Sequence, residues 1–389
     1  MPTPVRRPSV SRTSSHNASG HGTAPPANAP FAFRFPEYPR MRVCVRLRAG
    51  LSGLALLSVF ALSASALCAA AVPDPTPTVF AAGVISGPAH DAAPAFSPDG
   101  NTVFFGRQAP EVAVVMESHR NARGWSAPRI APFSGEWTDM EPAMAPDGSY
   151  LIYVSNRPAR PGEPPRDGHY NGKTWPGKGS ALWRVRRTAH GWSEPERLPD
   201  RINRNDSVYA PSIAADGTLY FMHPNAKTGH FQLFSARLRD GDYDEPQPLP
   251  FSGGEQSDVD PAVAPDQSFL IFGSRRAPAT ASMDLFVAFR DGVGWGVPQW
   301  LGERVNSSGS DAEPRLSPDL STLYFSSERS QPVSYPRTRE QTAADLARIQ
   351  AWDNSLYNIW QVPLQPLLSA HRTTQPSAAP AGAAQAATR

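Results

Sequence analysis

Short alternating runs of apolar and polar residues, each preceded by a turn sequence, recur five times along the chain. The runs lie in HDAAPAFSPDGNTVFFGR (90–107), TDMEPAMAPDGSYLIYVSNR (138–157), SVYAPSIAADGTLYFMH (207–223), SDVDPAVAPDQSFLIFGSR (257–275) and SDAEPRLSPDLSTLYFSSER (310–329). Their leading prolines are Pro94, Pro142, Pro211, Pro261 and Pro314, each followed five residues later by an aspartate. The prolines are 48, 69, 50 and 53 residues apart, and such a period indicates a repeat architecture.

Each repeat begins with a predicted β-hairpin. In the first repeat, Phe96 precedes a Ser-Pro-Asp-Gly turn and the run Val103–Phe105 follows it. Turn residues reverse the chain, and aromatic and β-branched residues favour strands. In four repeats a second hairpin follows, with a Gly-Trp or Asp-Tyr pair in its turn and an outer strand such as Gln299–Leu301. Each repeat therefore supplies four strands within about 45 residues.

The two ends of the repeat region complement each other. An unpaired outer strand is predicted at Val79–Ile85, and an unpaired third strand at Asn358–Val362. Radially arranged four-stranded sheets form a β-propeller, and these two segments would complete one blade together. The sequence therefore predicts an all-β fold, a single β-propeller over residues 78–363. It would have five four-stranded blades and be closed by the N-terminal strand.

The segments outside this region have a different composition. Residues 1–40 lack an apolar period, which is typical of a disordered leader or of a segment upstream of the true start at Met41. Residues 41–71 combine arginines, an apolar stretch and Ala69-Ala70-Ala71, which predicts a signal peptide; a membrane anchor is the alternative. Residues 364–389 predict a disordered tail. We expect an exported protein, periplasmic or extracellular, and a monomer.

Composition excludes several classes of function. Proline accounts for 43 of 389 residues, which disfavours a helical protein, and a net charge of +2 gives no reason to expect nucleic acid. Both cysteines, Cys44 and Cys68, fall within the predicted signal peptide, so we expect no thiolate metal site in the propeller. The sequence has no G-x-S-x-G elbow and no H-E-x-x-H motif, so neither a serine peptidase nor a zinc protease is indicated.

The turn Ser97-Pro98-Asp99-Gly100, followed by an aromatic strand that ends near Ser-x-Arg, resembles the TolB-type, WD-repeat-like propeller repeat. Two further turns match with changed leading positions, and the last two lose the glycine. The resemblance implies a propeller fold. TolB proteins have six blades and an additional α/β domain, and they bind protein partners in the cell envelope. Five blades without such a domain are predicted here, so the resemblance is specific for fold and weakly specific for function.

Acidic residues gather just before the leading prolines. Because the first strand of each blade lines the central channel, these residues should rim one end of it, here called the top. The candidates are Asp91, Asp139, Glu141, Tyr209, Asp258, Asp260, Asp311 and Glu313. The second strands end on the same face at Arg107, Arg157, Arg275 with Arg276, and Arg329. Either these residues form ion pairs between strands, or the mouth binds a cation or a polar ligand such as a sugar.

Position along the strand distinguishes two sets of acids. Glu141, Asp260 and Glu313 adjoin the prolines and should lie deepest in the mouth. Their neighbours two residues earlier, such as Asp258, should lie further out on the same side if the strand is extended. One arginine for each blade would not neutralise two acids, so some carboxylates could remain available to a ligand.

Two long insertions are also predicted on the top face. Residues 156–180 contain Arg160, Arg166, His169, Tyr170, Lys173, Trp175 and Lys178. Residues 327–357 contain a predicted helix, Thr338–Trp352, with a capping box formed by Thr338 and Gln341. These insertions either cover a ligand or pack on neighbouring blades. The aromatic residues repeated once in each blade, Trp125, Trp192, Tyr243 and Trp295, are expected to pack between blades.

These features favour an exported, non-catalytic β-propeller that acts as a binding scaffold through its top face and channel mouth. Its partner would be a protein or a cell-envelope glycan, with no nucleic acid and no membrane contact beyond the targeting segment. The alternative is a carbohydrate-active enzyme, a glycoside hydrolase with mouth carboxylates about 5–10 Å apart as its acid and base. We expect no cofactor; calcium on the mouth carboxylates is a third interpretation. The sequence assigns no catalytic residue and no metal ligand.

Overall fold

Strands form where aromatic and β-branched residues alternate with polar ones on either side of a Pro-Asp turn. The computed structural model describes residues 76–170, 172–279, 281–292 and 294–372. Within these ranges, five antiparallel sheets are arranged as the blades of a β-propeller. The predicted fold class is therefore confirmed. The predicted leader and signal peptide lie outside the described residues, as does the chain beyond residue 372.

The strands follow one another in blade order. The chain begins with β1 (Thr78–Val79). The first blade contains β2 (His90–Phe96), β3 (Thr102–Ala109), β4 (Val112–Asn121), β5 (Gly124–Trp125) and β6 (Arg129–Ile130). The second contains β7 (Asp139–Met144), β8 (Tyr150–Ser155), β9 (Gly168–Tyr170), β10 (Lys173–Trp175), β11 (Ala181–Thr188), β12 (Gly191–Trp192) and β13 (Glu196–Arg197).

The remaining blades follow the same plan. The third contains β14 (Tyr209–Ile213), β15 (Leu219–Pro224), β16 (Phe231–Ala236), β17 (Leu238–Arg239), β18 (Asp242–Tyr243) and β19 (Gln247–Pro248). The fourth contains β20 (Asp258–Val263), β21 (Phe269–Ser274), β22 (Asp284–Phe289) and β23 (Gln299–Trp300). The fifth contains β24 (Asp311–Leu316), β25 (Thr322–Ser327), helix α1 (Arg339–Ala351) and β26 (Asn358–Pro363), and helix α2 (Leu364–Arg372) ends the described chain.

The ring is closed by strands from both ends of the repeat region. In the fifth blade the strand order is β24–β25–β26–β1, and β1 pairs antiparallel with β26, with Val79 opposite Trp360. The first strands contact one another in ring order, β2 with β7, β7 with β14, β14 with β20, β20 with β24, and β24 with β2. The predicted closure by the N-terminal strand is therefore confirmed, although this strand is Thr78–Val79 and not the predicted Val79–Ile85.

The core lies mostly between blades. Trp125 packs 5.7 Å from Phe80, and Trp192 of the second blade packs 5.7 Å from Phe104 of the first. Trp295 of the fourth blade lies 6.2 Å from Tyr220 of the third. These ring contacts bear out the prediction that the repeated aromatic residues pack between blades.

Each first strand is interrupted by a β-bulge just above the channel. The pairing register shifts around the leading proline in all five blades, for example between Met140 and Ala143. The residue before the proline has a left-handed backbone in every case: Ala93 (φ 51°), Glu141 (51°), Ala210 (53°), Asp260 (56°) and Glu313 (50°). The bulge breaks the alternation of side chains along the strand. Acids two residues apart, predicted to share one side, are therefore directed to different surroundings.

The predicted helix is present, and a second helix was not predicted. Helix α1 begins after the N-cap Thr338 with the predicted capping box, yet none of its residues is buried. Ion pairs hold it within the insertion instead: Arg348 pairs at 2.7 Å with Asp353, which also accepts from the Gln331 N–H. Residues 364–372, predicted to be part of a disordered tail, form helix α2. This helix forms because Leu364, Leu367 and Leu368 pack into the core of the fourth and fifth blades.

No helix in the described ranges is long and apolar enough to cross a membrane.

Candidate functional site

The outer acids of the mouth are buried beside the strands. Those at the position three residues before the leading proline are Asp91, Asp139, Asp258 and Asp311, each with 0% exposure. Three ion pairs join them to the end of a second strand: Asp91–Arg107 at 2.6 Å, Asp258–Arg276 at 2.7 Å and Asp311–Arg329 at 2.8 Å. These arginines also donate to the carbonyls of Ile85, Phe251 and Val305, which lie in the loops entering the blades. The same ion pair recurs in three blades, which supports the interpretation that these acids and arginines join neighbouring strands.

In the fourth blade the sequence offered two arginines, Arg275 and Arg276, and the structure distinguishes them. Arg275, named from the sequence, is exposed and donates from Nε to the carbonyl of Ser282. Arg276 forms the ion pair instead, because it stands two residues after Ser274, the residue opposite Asp258 in the strand register. The same Ser-x-Arg spacing places Arg329 in the fifth blade, two residues after Ser327, the residue opposite Asp311.

The second blade departs from this construction. Arg157 pairs at 3.4 Å with the exposed Glu136, and its guanidinium lies 5.6 Å from the Trp183 ring. Asp139 accepts hydrogen bonds from the Ser134 hydroxyl at 2.8 Å and from the Gly135 N–H at 3.2 Å. Burial raises the pKa of Asp139, against the lowering effect of these hydrogen bonds. The predicted pairing of Arg157 with the mouth acid is therefore absent among the described contacts.

The three inner acids, Glu141, Asp260 and Glu313, form a buried group that we call the acidic triad. Glu141 Oε2 accepts a hydrogen bond from the Ala210 N–H of the third blade at 2.6 Å. Asp260 Oδ2 accepts from the Glu313 N–H of the fifth blade at 3.2 Å. Glu313 Oε2 accepts from the Ser326 hydroxyl at 2.7 Å. Two of these bonds cross from one blade to the next, so the triad converges on the centre of the ring.

The members of the acidic triad retain protons that exposed carboxylic acids release. Burial, and then repulsion from Asp260 and Glu313, raise the pKa of Glu141 to about 8. Burial and the Glu313 charge raise the pKa of Asp260 to about 7. Burial also raises the pKa of Glu313, while the Ser326 hydrogen bond acts in the opposite direction. Near neutral pH the triad therefore carries less negative charge than three free carboxylates.

Arg315 lies next to the triad and was not indicated by the sequence analysis. It lowers the pKa of all three acids. It is 6% exposed, and its Nε and Nη2 have no hydrogen-bond partner among the described residues. It lines a cavity of about 120 Å³ that opens toward the bottom turns. The available signal was an asymmetry: the residue after the leading proline is Ala95, Ala143, Ser212 or Ala262 in the other blades.

A second cavity, of about 390 Å³, opens on the top face beside the mouth. We call it the aromatic cleft, after its wall of Tyr170 and Trp175 from the second-blade insertion and Tyr209 and Phe231 from the third blade. Tyr170 and Trp175 stack with their ring centroids 5.5 Å apart and an interplanar angle of 15°. Phe231 lies 5.4 Å from Tyr170. The sequence indicated the aromatic insertion but not Phe231, which is an ordinary strand residue in its pattern.

The aromatic cleft adjoins the acidic triad through two strands. Tyr209, predicted at the mouth, places its ring in the cleft, and the next residue, Ala210, donates the hydrogen bond to Glu141. Met140, next to Glu141, also lines the cleft. Burial raises the pKa of the Tyr209 phenol, which donates to the Lys178 carbonyl at 3.1 Å. A ligand in the cleft would therefore lie close to the channel mouth.

The arrangement gives calcium no evident cage. No group of three His, Cys, Asp or Glu side chains in the described ranges is placed to hold a metal ion. Calcium on the mouth carboxylates stays a prediction.

Several solved structures are similar to this chain. A TolB structure from Agrobacterium tumefaciens is 18% identical, with 64% of this chain and 74% of that chain covered and a TM-score of 0.41. TolB from Acinetobacter baumannii is 17% identical, with 58% and 46% covered and a TM-score of 0.37. An α-L-arabinofuranosidase from Lactobacillus brevis is 10% identical, with 72% and 91% covered and a TM-score of 0.45. No protein-family model and no curated protein matches the sequence.

The chain forms the propeller that the resemblance to TolB-type repeats implied, and TolB structures are among those similar to it. The chain spans less than half the length of the Acinetobacter protein. Likenesses at these identities and scores concern the fold alone. What the protein binds or does has to be inferred from its own side chains.

Proposed function

We propose that the protein is an exported, non-catalytic propeller that binds its ligand on the top face, in the aromatic cleft beside the channel mouth. The observation that supports this most is the cleft itself. Its Trp175 ring is 38% exposed and stands on an insertion that takes no part in closing the ring. Ligand pockets typically combine apolar walls with a few polar groups, as this cleft does with Gln108 and Thr138.

The state of the carboxylates supports binding rather than catalysis. Three outer acids are held by arginines within their own blades, and the acidic triad is buried and hydrogen-bonded to backbone or hydroxyl groups. A general acid must come within hydrogen-bond reach of the reacting oxygen of the substrate. Carboxylates with less than 10% exposure, such as Glu141 and Asp260, offer little such access.

A pair of binding arrays tests the proposal. Purified full-length protein is applied to a glycan array and to a peptide array, together with the Trp175→Ala variant. Tyr335→Ala serves as the matched control, because Tyr335 is 74% exposed on the other insertion. We expect signals on one array that Trp175→Ala loses and Tyr335→Ala retains. Signals that are absent, or equal for all three proteins, would overturn the proposal.

The alternative, a carbohydrate-active enzyme, is favoured by one observation. Glu141 has a pKa raised to about 8, and glycoside hydrolysis needs a carboxylic acid that stays protonated near neutral pH. Nitrophenyl glycosides, including the α-L-arabinofuranoside and β-D-xyloside, test for turnover directly. We expect no release of nitrophenol. Release by the wild type that is lost in Glu141→Gln would establish the enzyme and refute the non-catalytic proposal.

A further inference from the structure

Lysine is rare in this chain, and its positions are informative. The sequence contains three lysines, Lys173, Lys178 and Lys227, among 37 basic residues. Lys173 begins β10, and Lys178 lines the aromatic cleft. The Lys173 ammonium lies 5.9 Å from the centroid of the Trp175 ring. Two of the three lysines therefore flank the exposed tryptophan of the cleft.

These two lysines are not engaged by acids of the protein. The ion pairs of the insertion are formed by arginines, Arg160 with Glu163 at 3.6 Å and Arg166 with Asp206 at 2.6 Å. Across the residues that the structure describes, neither Lys173 nor Lys178 has a carboxylate within ion-pair distance. Cations without a carboxylate partner attract anions, and here Lys178 lines the cleft while Lys173 lies beside Trp175.

Two carboxylates lie near the lysines. The exposed Asp167 accepts a hydrogen bond from the Gly177 N–H at 2.8 Å, so its charge lies on the same insertion as Lys173 and Lys178. Glu141 adjoins the cleft through Met140, but it is buried and accepts a hydrogen bond from the next blade. Its raised pKa leaves it largely uncharged at neutral pH. Two lysines against the one exposed carboxylate, Asp167, leave a net positive charge on this side of the cleft.

The rest of the lining suits a polyhydroxylated ring. One face of a sugar ring carries C–H groups, which pack on aromatic rings such as Trp175 and Tyr170, and its edge carries hydroxyls that need partners. The side-chain polar groups of Gln108 and Thr138 line the cleft and form no hydrogen bond to another described residue. A purely apolar peptide side chain would leave these groups and both lysines unused.

We propose that the aromatic cleft binds an acidic glycan, with a uronic acid ring on the exposed Trp175, which is stacked on Tyr170, and with its carboxylate paired with Lys173 and Lys178. This rests on the proposed function, since it names the ligand class of the same cleft. The indole of Trp175 supplies the apolar contact, and the two lysines favour a negatively charged ligand over a neutral one. Gln108 and Thr138 form hydrogen bonds with the sugar hydroxyls.

Calorimetric titration of the full-length protein tests the charge selection. The probes are trimers of galacturonate, glucuronate and mannuronate, each with its methyl ester as the uncharged match. We expect at least one acid to bind about tenfold more tightly than its ester at low salt, with the difference shrinking as salt is added. The Lys173→Ala/Lys178→Ala variant should bind the acid as weakly as the ester, and Lys227→Ala should bind as the wild type does.

Trp175→Ala should weaken the binding of acid and ester alike by about tenfold or more, because it removes the contact between the indole and the sugar ring. The three substituted side chains of the cleft are exposed, so unchanged melting temperatures should confirm that the variants fold. Equal affinity for acid and ester, or an unchanged double lysine variant, would overturn the acidic glycan. Binding of a tri-glutamate peptide in place of every uronate, with loss in Trp175→Ala, would also overturn it and leave the proposed function standing. No Trp175-dependent ligand in this titration or on either array would refute both.

Discussion

A single buried carboxyl, Glu141, links the site to the stability of the protein. Its side chain is 7% exposed, faces Asp260 and Glu313, and has Arg315 as a nearby cation. Its pKa in the folded state is about 8, raised from 4.5 chiefly by burial. Such a group contributes stability in full below pH 4.5 and loses that contribution as the pH rises through 8.

We therefore expect the melting temperature of the wild type to fall between pH 6 and pH 9. Glu141→Gln keeps an oxygen to accept the Ala210 N–H but cannot ionise, so its profile should be flatter. At pH 9 it should be more stable than the wild type by at least about 1 kcal/mol. The exposed Glu111→Gln is the control, and its profile should match the wild type. Identical slopes in Glu141→Gln and the wild type would contradict the burial of this charge.

Neutralising an outer acid that forms an ion pair should lower the stability of the protein, whereas Glu141→Gln should raise it at pH 9. Asp311→Asn leaves Arg329 without its carboxylate, and breaking a largely buried ion pair costs roughly 3 kcal/mol. Asp139→Asn is the matched comparison, because Asp139 has no ion pair and asparagine can still accept from Ser134. Urea unfolding should show a clearly larger loss for Asp311→Asn. Equal losses would mean that the ion pair contributes nothing beyond the hydrogen bonds.

At the scale of elements, two helices with similar apolar content have opposite roles. Leu368 of α2 is 4% exposed in the core, whereas Leu346 of α1 is 55% exposed. We expect Leu368→Ala to lower the free energy of unfolding by about 2–4 kcal/mol, and Leu346→Ala by less than about 0.5 kcal/mol. Urea unfolding of the two variants measures both. A small loss in Leu368→Ala would show that α2 does not anchor the end of the described chain.

The sequence predicted the elements better than their surroundings. Proline-to-aspartate spacing and aromatic alternation are local patterns, so the blades, the closure and the capped helix followed from them. Leu364, Leu367 and Leu368 stand at helical spacing, an apolar face that the prediction of a disordered tail overlooked. Which blade surface this face meets depends on the tertiary fold, and no local pattern contains that.

The bulge in the first strand was not predicted either. It directs Asp258 and Asp260 to different surroundings, although residues two apart on a regular strand lie on the same side. Arg315 was recognisable only by comparing equivalent positions across all five repeats.

At the scale of the whole molecule, stability depends on one seam between the two ends of the ring. Phe80, just after β1, packs 5.8 Å from Phe96 of the first blade and 5.0 Å from Tyr324 of the fifth. Hydrogen bonds from β1 to β26 close the same seam. Phe96 and Tyr324 also contact each other, with their ring centroids 4.6 Å apart, so Phe80 completes a group of three rings that joins the first and fifth blades.

Phe80→Ala should cost about 3–5 kcal/mol, because the cavity lies where the ring closes. Hydrogen exchange should increase in β26 and in β2 together, since both blades lose their shared contact. Phe133→Ala, at the seam between the first and second blades, is the comparison, and it should leave β26 protected. Faster exchange in β2 alone after Phe80→Ala would show that the closure does not depend on this seam.

The left-handed residue before each leading proline has a consequence for how such a protein can change. One backbone shape accommodates alanine at two of these positions, glutamate at two and aspartate at one. The blade sets this geometry, and the side chain is free to vary. Five positions around the axis of the ring can therefore exchange their side chains. The polarity and charge of the channel can change one blade at a time while the fold stays the same.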